Sequence, residues 1–124
     1  MRSLASWTAS ADVALVPLPA ISFNQRNATP NKFLEAIVAG TPVVLGPDLP
    51  AMEALLRRHD LGRVARSLAP ADLAAAIVEI LDRPAAEAAA ERERSIALGA
   101  DRFTWPIAAA TYRGLIRRLM EPAA

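Results

Sequence analysis

Three short apolar runs constrain this chain most: "VALV" at 13–16, "VVL" at 43–45 and "LGRVA" at 61–65. Helix-length stretches separate them. The first run is continuously apolar, the pattern of a strand covered on both faces of a parallel sheet. Pro17 and Pro19 end it. Thr29 reads as an N-cap and Pro30 as the first residue of a helix running to Ala39, with Gly40 as its left-handed C-terminal residue. Pro42 opens the second strand and Gly46-Pro47 closes it. Asp48 is the expected cap of a helix ending at Arg57 or Arg58. Strand and helix in alternation specify an α/β fold with a parallel sheet. Only three strands are visible, where a doubly wound sheet usually has about five or six. The expected fold is therefore a partial Rossmann-like sheet of three strands flanked by helices.

The remainder reads as helical. Residues 3–10 suit a short helix, and 17–28 a loop without periodicity. Leu73, Ile77, Ile80 and Leu81 share one face of a helix from Pro70 to Leu81. Pro84 starts a helix that should stop near Gly99. Thr104 starts a last helix, with Tyr112, Leu115, Ile116 and Leu119 on one face. The expected organisation is a single, incomplete domain over 1–124 with a helical tail at about 85–120.

A chain of 124 residues suits one domain. Its 14 basic and 13 acidic residues nearly balance, which gives no reason to invoke nucleic acid. It has no cysteine and one histidine, His59, so thiolate metal sites are excluded and a histidine cluster cannot form. No apolar run approaches the roughly 20 residues of a membrane span. The start "MRSLASWTASA" has a basic residue and small residues like a signal peptide, but its middle is too polar for an apolar core segment. A cytoplasmic protein is the expectation.

The segment "NATPNKFLEAIVAGTPVVLG", 27–46, carries the strongest functional signal. In open α/β sheets ligands bind beyond the carboxyl ends of the strands, where this helix begins. A helix amino end offers free N–H groups and about half a positive charge, an anion site. Pro30 lacks an N–H, but Asn31 and Lys32 have one. Lys32, the chain's single lysine, opposes the helix dipole unless an anion lies there. The bland alternative is a solvated lysine pairing with Glu35 at i+3. Glu35 sits among Phe33, Leu34, Ile37 and Val38. It either holds a partner such as a sugar diol, since one carboxylate accepts from two adjacent hydroxyls, or faces water on the helix's polar side.

Other residues have simpler readings. Asn27-Ala28-Thr29 matches the N-glycosylation pattern, against which Pro30 and a cytoplasmic setting both argue. Gln25, Arg26 and Asn27 read as solvated loop or ligand contacts. His59 reads as surface, and Trp105 and Tyr112 as core. Arg113, Arg117 and Arg118 read as a solvated helix face that could also touch anionic lipid.

Together "ADVALVPL", "NATPNKFLEAIVAGTPVV", "LGRVA" and "PADLAAAIVEIL" resemble the carboxyl-terminal, donor-binding half of GT-B glycosyltransferases of the retaining family 4 type. The resemblance covers about residues 9–82, and "FTW" at 103–105 is similar to the start of that family's final helices. It implies a nucleotide-diphosphate sugar, UDP- or GDP-linked, as substrate, with no metal cofactor. The family crosses this helix with a glutamate, seven residues and a second glutamate. The second matches Glu35 and would hold the donor ribose. The first falls on Asn27, a departure that touches the sugar contact. A branch of the family has a similar Pro-Asn-Lys before the glutamate. By this resemblance Thr29, Asn31 and Lys32 would face the diphosphate and sugar. The resemblance also implies an acceptor domain that precedes this part, and any peripheral membrane contact would come through the full enzyme. The competing expectation is a non-catalytic Rossmann-like module for a ligand or partner. Its receiver-type version wants an aspartate at a strand end, where Val16 is instead followed by Pro17.

Overall fold

A computed structural model describes residues 3–120, so Met1 and Arg2 of the signal-like start lie outside the described residues. Ten elements follow one another: α1 (Leu4–Ala9), β1 (Ala14–Val16), α2 (Phe23–Asn27), α3 (Asn31–Ala39), β2 (Val43–Leu45), α4 (Pro50–His59), β3 (Gly62–Val64), α5 (Pro70–Leu81), α6 (Ala85–Arg102) and α7 (Trp105–Met120). The three strands form one parallel sheet in the order β1-β2-β3, with Val44 beside Leu15 on one side and Arg63 on the other. The expected α/β class and the three strands are therefore present.

Side-chain alternation on β2 divides the core in two. Val43 and Leu45 face α3 and α4, joining Phe33, Ile37, Met52 and Leu56. Val44 faces the other way, onto Ala76 and Ile80 of α5 and onto Ala65. All three β2 residues are fully buried, as a central strand requires. β1 differs. Val16 is buried but Leu15 is 44% exposed, because β1 is an edge strand that α5 does not cover. Full cover of this run was expected and does not hold within the described residues.

Several boundaries move for local reasons. Pro30 is the N-cap of α3, extended at ψ 146°, and no side chain caps it. Thr29 stands one residue too early as a cap, because Pro30 is itself extended and the first helical residue is Asn31. Gly40 closes α3 at φ 74°, and the amides of Gly40 and Thr41 return to Ile37 O and Ala36 O, as read from the sequence. Asp48 does not cap α4. It takes a left-handed φ of 65°, Leu49 is the N-cap, and the Glu53 carboxylate accepts from the Leu49 amide at 3.2 Å. The supposed loop at 17–28 contains α2, begun by Ser22, whose hydroxyl accepts from the Gln25 amide. A helix this short leaves no periodicity to read. Ile80 of α5 is buried as expected, but Leu81 is 55% exposed at the last turn.

α6 runs past Gly99 to Arg102. Gly99 is buried, and a Cβ there would lie 2.8 Å from the Val38 Cα of α3. The glycine permits close approach of two helices and does not end one. Trp105 and Tyr112, expected in the core, are 76% and 63% exposed, because α7 presents its apolar face outward. His59 is half-buried, and its Nε2 is enclosed with no hydrogen-bond partner among the described residues.

Candidate functional site

α3 carries three of the candidate site residues, Asn31, Lys32 and Glu35, and its packing decides whether they are available. Phe33, Ala36 and Ile37 are buried at i, i+3 and i+4, one face of the helix. Asn31, Lys32 and Glu35 therefore fall on the open side, and all three are exposed. Glu35 does not interrupt the core; it lies across the helix from it. Neither Lys32 nor Glu35 forms a described ion pair, so the i, i+3 pairing is not made among the described residues.

The amino end of α3 has no acidic residue in its first turn and no side-chain cap. Its amides and the Lys32 ammonium thus form a region of uncompensated positive potential. Asn31 and Glu35, one turn apart, line the same groove between α1, α3 and α6, about 840 Å³ in volume. Leu4, Leu34, Val38, Ile96 and Phe103 give that groove apolar walls. Lys32, Thr29 and Asn27 lie outside it. Thr29 is exposed between α2 and α3. Asn27 ends α2, where its Nδ2 donates to Phe23 O at 2.8 Å, and Arg26 Nε donates to Ala20 O at 3.2 Å. Asn27 and Arg26 thus help to hold the segment that leads into α3.

Sequence reasoning missed the polar groups that hold α3 from behind. The buried Ser95 of α6 donates to Ile37 O at 3.0 Å. Thr41 donates to Thr8 O at 2.7 Å and ties the end of α3 to α1. Glu91, 2% exposed, pairs with Arg83, which also donates from Nε to Ile80 O. Burial first, and Arg63 next, hold the Arg83 guanidinium below its ordinary pKa. The signal was present in "AAAERERSIALG": Glu91, Ser95, Leu98 and Gly99 recur at i, i+4, i+7 and i+8 and are the buried stripe of α6. Polar residue types concealed it.

Among the described residues no three His, Cys, Asp or Glu side chains gather as a metal site. None of the described helices is long and apolar enough to cross a membrane.

No curated protein and no solved structure matches the chain. Residues 1–83 match the family described as glycosyl transferases, group 1. That match takes in all three strands, α3 and α5, and stops before α6, so the "FTW" similarity at 103–105 lies outside it. Covering two-thirds of the sequence and the whole sheet, the match makes this chain a member of the group 1 glycosyl transferases.

Proposed function

We propose that the chain binds a nucleotide-diphosphate sugar at the amino end of α3, as the donor-binding part of a retaining GT-B glycosyltransferase. The observation that carries this reading is a contrast along one helix. The first turn offers exposed amides and Lys32 with no carboxylate to neutralise them, and Glu35 stands exposed and without a described partner one turn later. The first feature suits a diphosphate and the second a ribose diol. The proposed roles follow. The Asn31 and Lys32 amides and the Lys32 ammonium take the diphosphate, Thr29 and Asn27 border the sugar, and Glu35 accepts from the two ribose hydroxyls. Helix end and cation together supply the electrostatics, so no divalent metal is required. Group transfer needs an acceptor bound on a neighbouring domain, because the reacting groups must be held together.

Glu35→Gln tests the reading. An amide keeps the shape but loses the charge and one acceptor oxygen. Charge-assisted hydrogen bonds contribute about 1.5–3 kcal/mol each, so affinity should fall roughly 10- to 150-fold. Calorimetric titration with UDP, GDP and their 2′,3′-dideoxy analogues reads it. The variant and the parent chain should differ for the ribose forms and converge for the dideoxy forms. Equal affinity of both proteins for every nucleotide removes Glu35 from the site.

A further inference from the structure

The groove that holds Asn31 and Glu35 is walled by α1 on one side and α3 on the other. Hydrogen bonds join these two helices at their carboxyl ends. Thr41, just past α3, donates from Oγ1 to Thr8 O at 2.7 Å. Arg92 of α6 donates from one nitrogen, Nη1, to Ala9 O at 3.3 Å and to Gly40 O at 3.5 Å. Its stem crosses over Gly40, where a Cβ would lie 2.9 Å from the Arg92 Cγ. Helix carboxyl ends carry partial negative charge, so two of them brought together repel. Thr41 is a neutral donor, and Arg92 supplies the positive charge that lets the two ends meet. The amino ends of the walls have no such tie. Among the described residues, the hydrogen bonds of Ser3 and Ser6 stay within α1, and none runs from Asn31 or Glu35 across the groove.

We infer that α1 and α3 form a hinged pair pinned by Arg92 at their carboxyl ends, and that Arg92 is a positioning residue that sets the width of the groove. Ser95 fastens α3 to α6, so α1 is the wall left to move. A change of angle at the pin is small beside Thr8 and Ala39 and largest beside Leu4 and Asn31, a helix length away. Arg92 touches no residue of the open face of α3, and it acts there only through the helix it holds. Its consequence for nucleotide affinity rests on the donor reading. The pin itself does not.

Spin labels read the width directly. The chain has no cysteine, so Leu4→Cys with Lys32→Cys places one label at each amino end. Pulsed electron resonance should give a narrow distance distribution with Arg92 present. Arg92→Gln should broaden it and move it to longer distance. Arg92→Lys keeps the charge and three donors, and should restore the narrow form. Thr41→Val keeps the shape but drops the second tie, and should broaden the distribution as well, so the test does not hang on one variant. Without the labels, Arg92→Gln should lower affinity for UDP and GDP roughly fivefold, the equivalent of ~1 kcal/mol, because the ligand must then order a wall that was held in place. A distribution that neither Arg92→Gln nor Thr41→Val changes overturns the pin, even where urea unfolding shows a loss of stability. A widened groove together with equal nucleotide affinity of Glu35→Gln and the parent chain supports the pin and removes the donor reading instead.

Discussion

Lys32→Gln should raise the stability of the free chain and lower its affinity for a nucleoside diphosphate. The two effects have one source. Lys32 is the second residue of α3, exposed, with no acidic residue in the first turn and no described ion pair. A cation in the first turn opposes the helix dipole by typically 0.3–1 kcal/mol. Exposure places this case towards the lower end, so removing the charge should stabilise the chain by about 0.5 kcal/mol. Lysine and glutamine have nearly equal helix propensity, so the backbone contributes little to the difference. A diphosphate at the same end reverses the balance, because the ammonium then faces a compact double negative charge. A charged hydrogen bond contributes about 1.5–3 kcal/mol, and solvent exposure argues for the lower figure, or about tenfold in affinity. Urea unfolding at low ionic strength gives the first quantity and titration with UDP and GDP the second. Both effects should shrink at high salt, since the Debye length falls to about 3 Å at 1 M. A variant that is less stable and binds nucleotide unchanged would refute the argument, for it would mean that Lys32 pairs within the protein.

Gly99→Ala should cost stability while Gly114→Ala adds about 0.8–1 kcal/mol: both gain helix propensity, but only the first forces a Cβ to 2.8 Å from Val38, at about 1–3 kcal/mol. Equal stabilisation of the two in urea unfolding would dismiss the close α3–α6 contact. Glu91→Gln should destabilise by up to about 3 kcal/mol by removing the carboxylate that faces the largely covered Arg83 guanidinium, whose Nε still donates to Ile80 O, and the double change Arg83→Met with Glu91→Leu should recover most of that loss. Donor binding should survive chelation by EDTA without change, and a Mn²⁺-dependent return of binding would refute the metal-free reading. The 124-residue chain by itself should show no acceptor-dependent turnover with UDP- or GDP-sugars, and measurable transfer would place an acceptor site within it.

The sheet was legible because burial on both faces leaves little choice of residue. "VVL" became a fully buried central strand within the stated boundaries, and Gly40 closed α3 in the left-handed conformation that only a residue without Cβ takes freely. α5 was found whole, from Pro70 to Leu81, because its apolar period is clean. Reading failed where one residue type serves two purposes. Glycine marks both helix ends and close helix contacts, so Gly99 reads as a terminator although it is a contact. Polar residues mark both solvent faces and buried tethers, so the pattern does not single out Glu91 and Ser95. Aromatic residues suit cores but also occur on surfaces, so Trp105 and Tyr112 read as core although both are exposed.

Glu35 shows how a site differs from a core in what sequence can state. Its apolar neighbours suggested a carboxylate at a buried face, yet the helical period places Phe33, Ala36 and Ile37 on one side and Glu35 on the other. Exposure removes the argument from burial cost, since a solvated carboxylate needs no partner. What remains is placement. Asn31 and Glu35 look into one groove, Lys32 stands beside them on the first turn, and Ser95 and Thr41 hold the far end of the helix to α6 and α1. A helix fixed at its carboxyl end and open at its amino end presents donors without having to be ordered by the ligand. That lowers the entropic cost of binding, which for mobile side chains is about 0.5–1.5 kcal/mol each. On the proposed reading, the Ser95 tether from α6 therefore serves donor binding by α3 as well as its stability. Ser95→Ala should accordingly weaken nucleotide binding modestly as well as stability, although Ser95 lies behind α3 and touches no part of its open face.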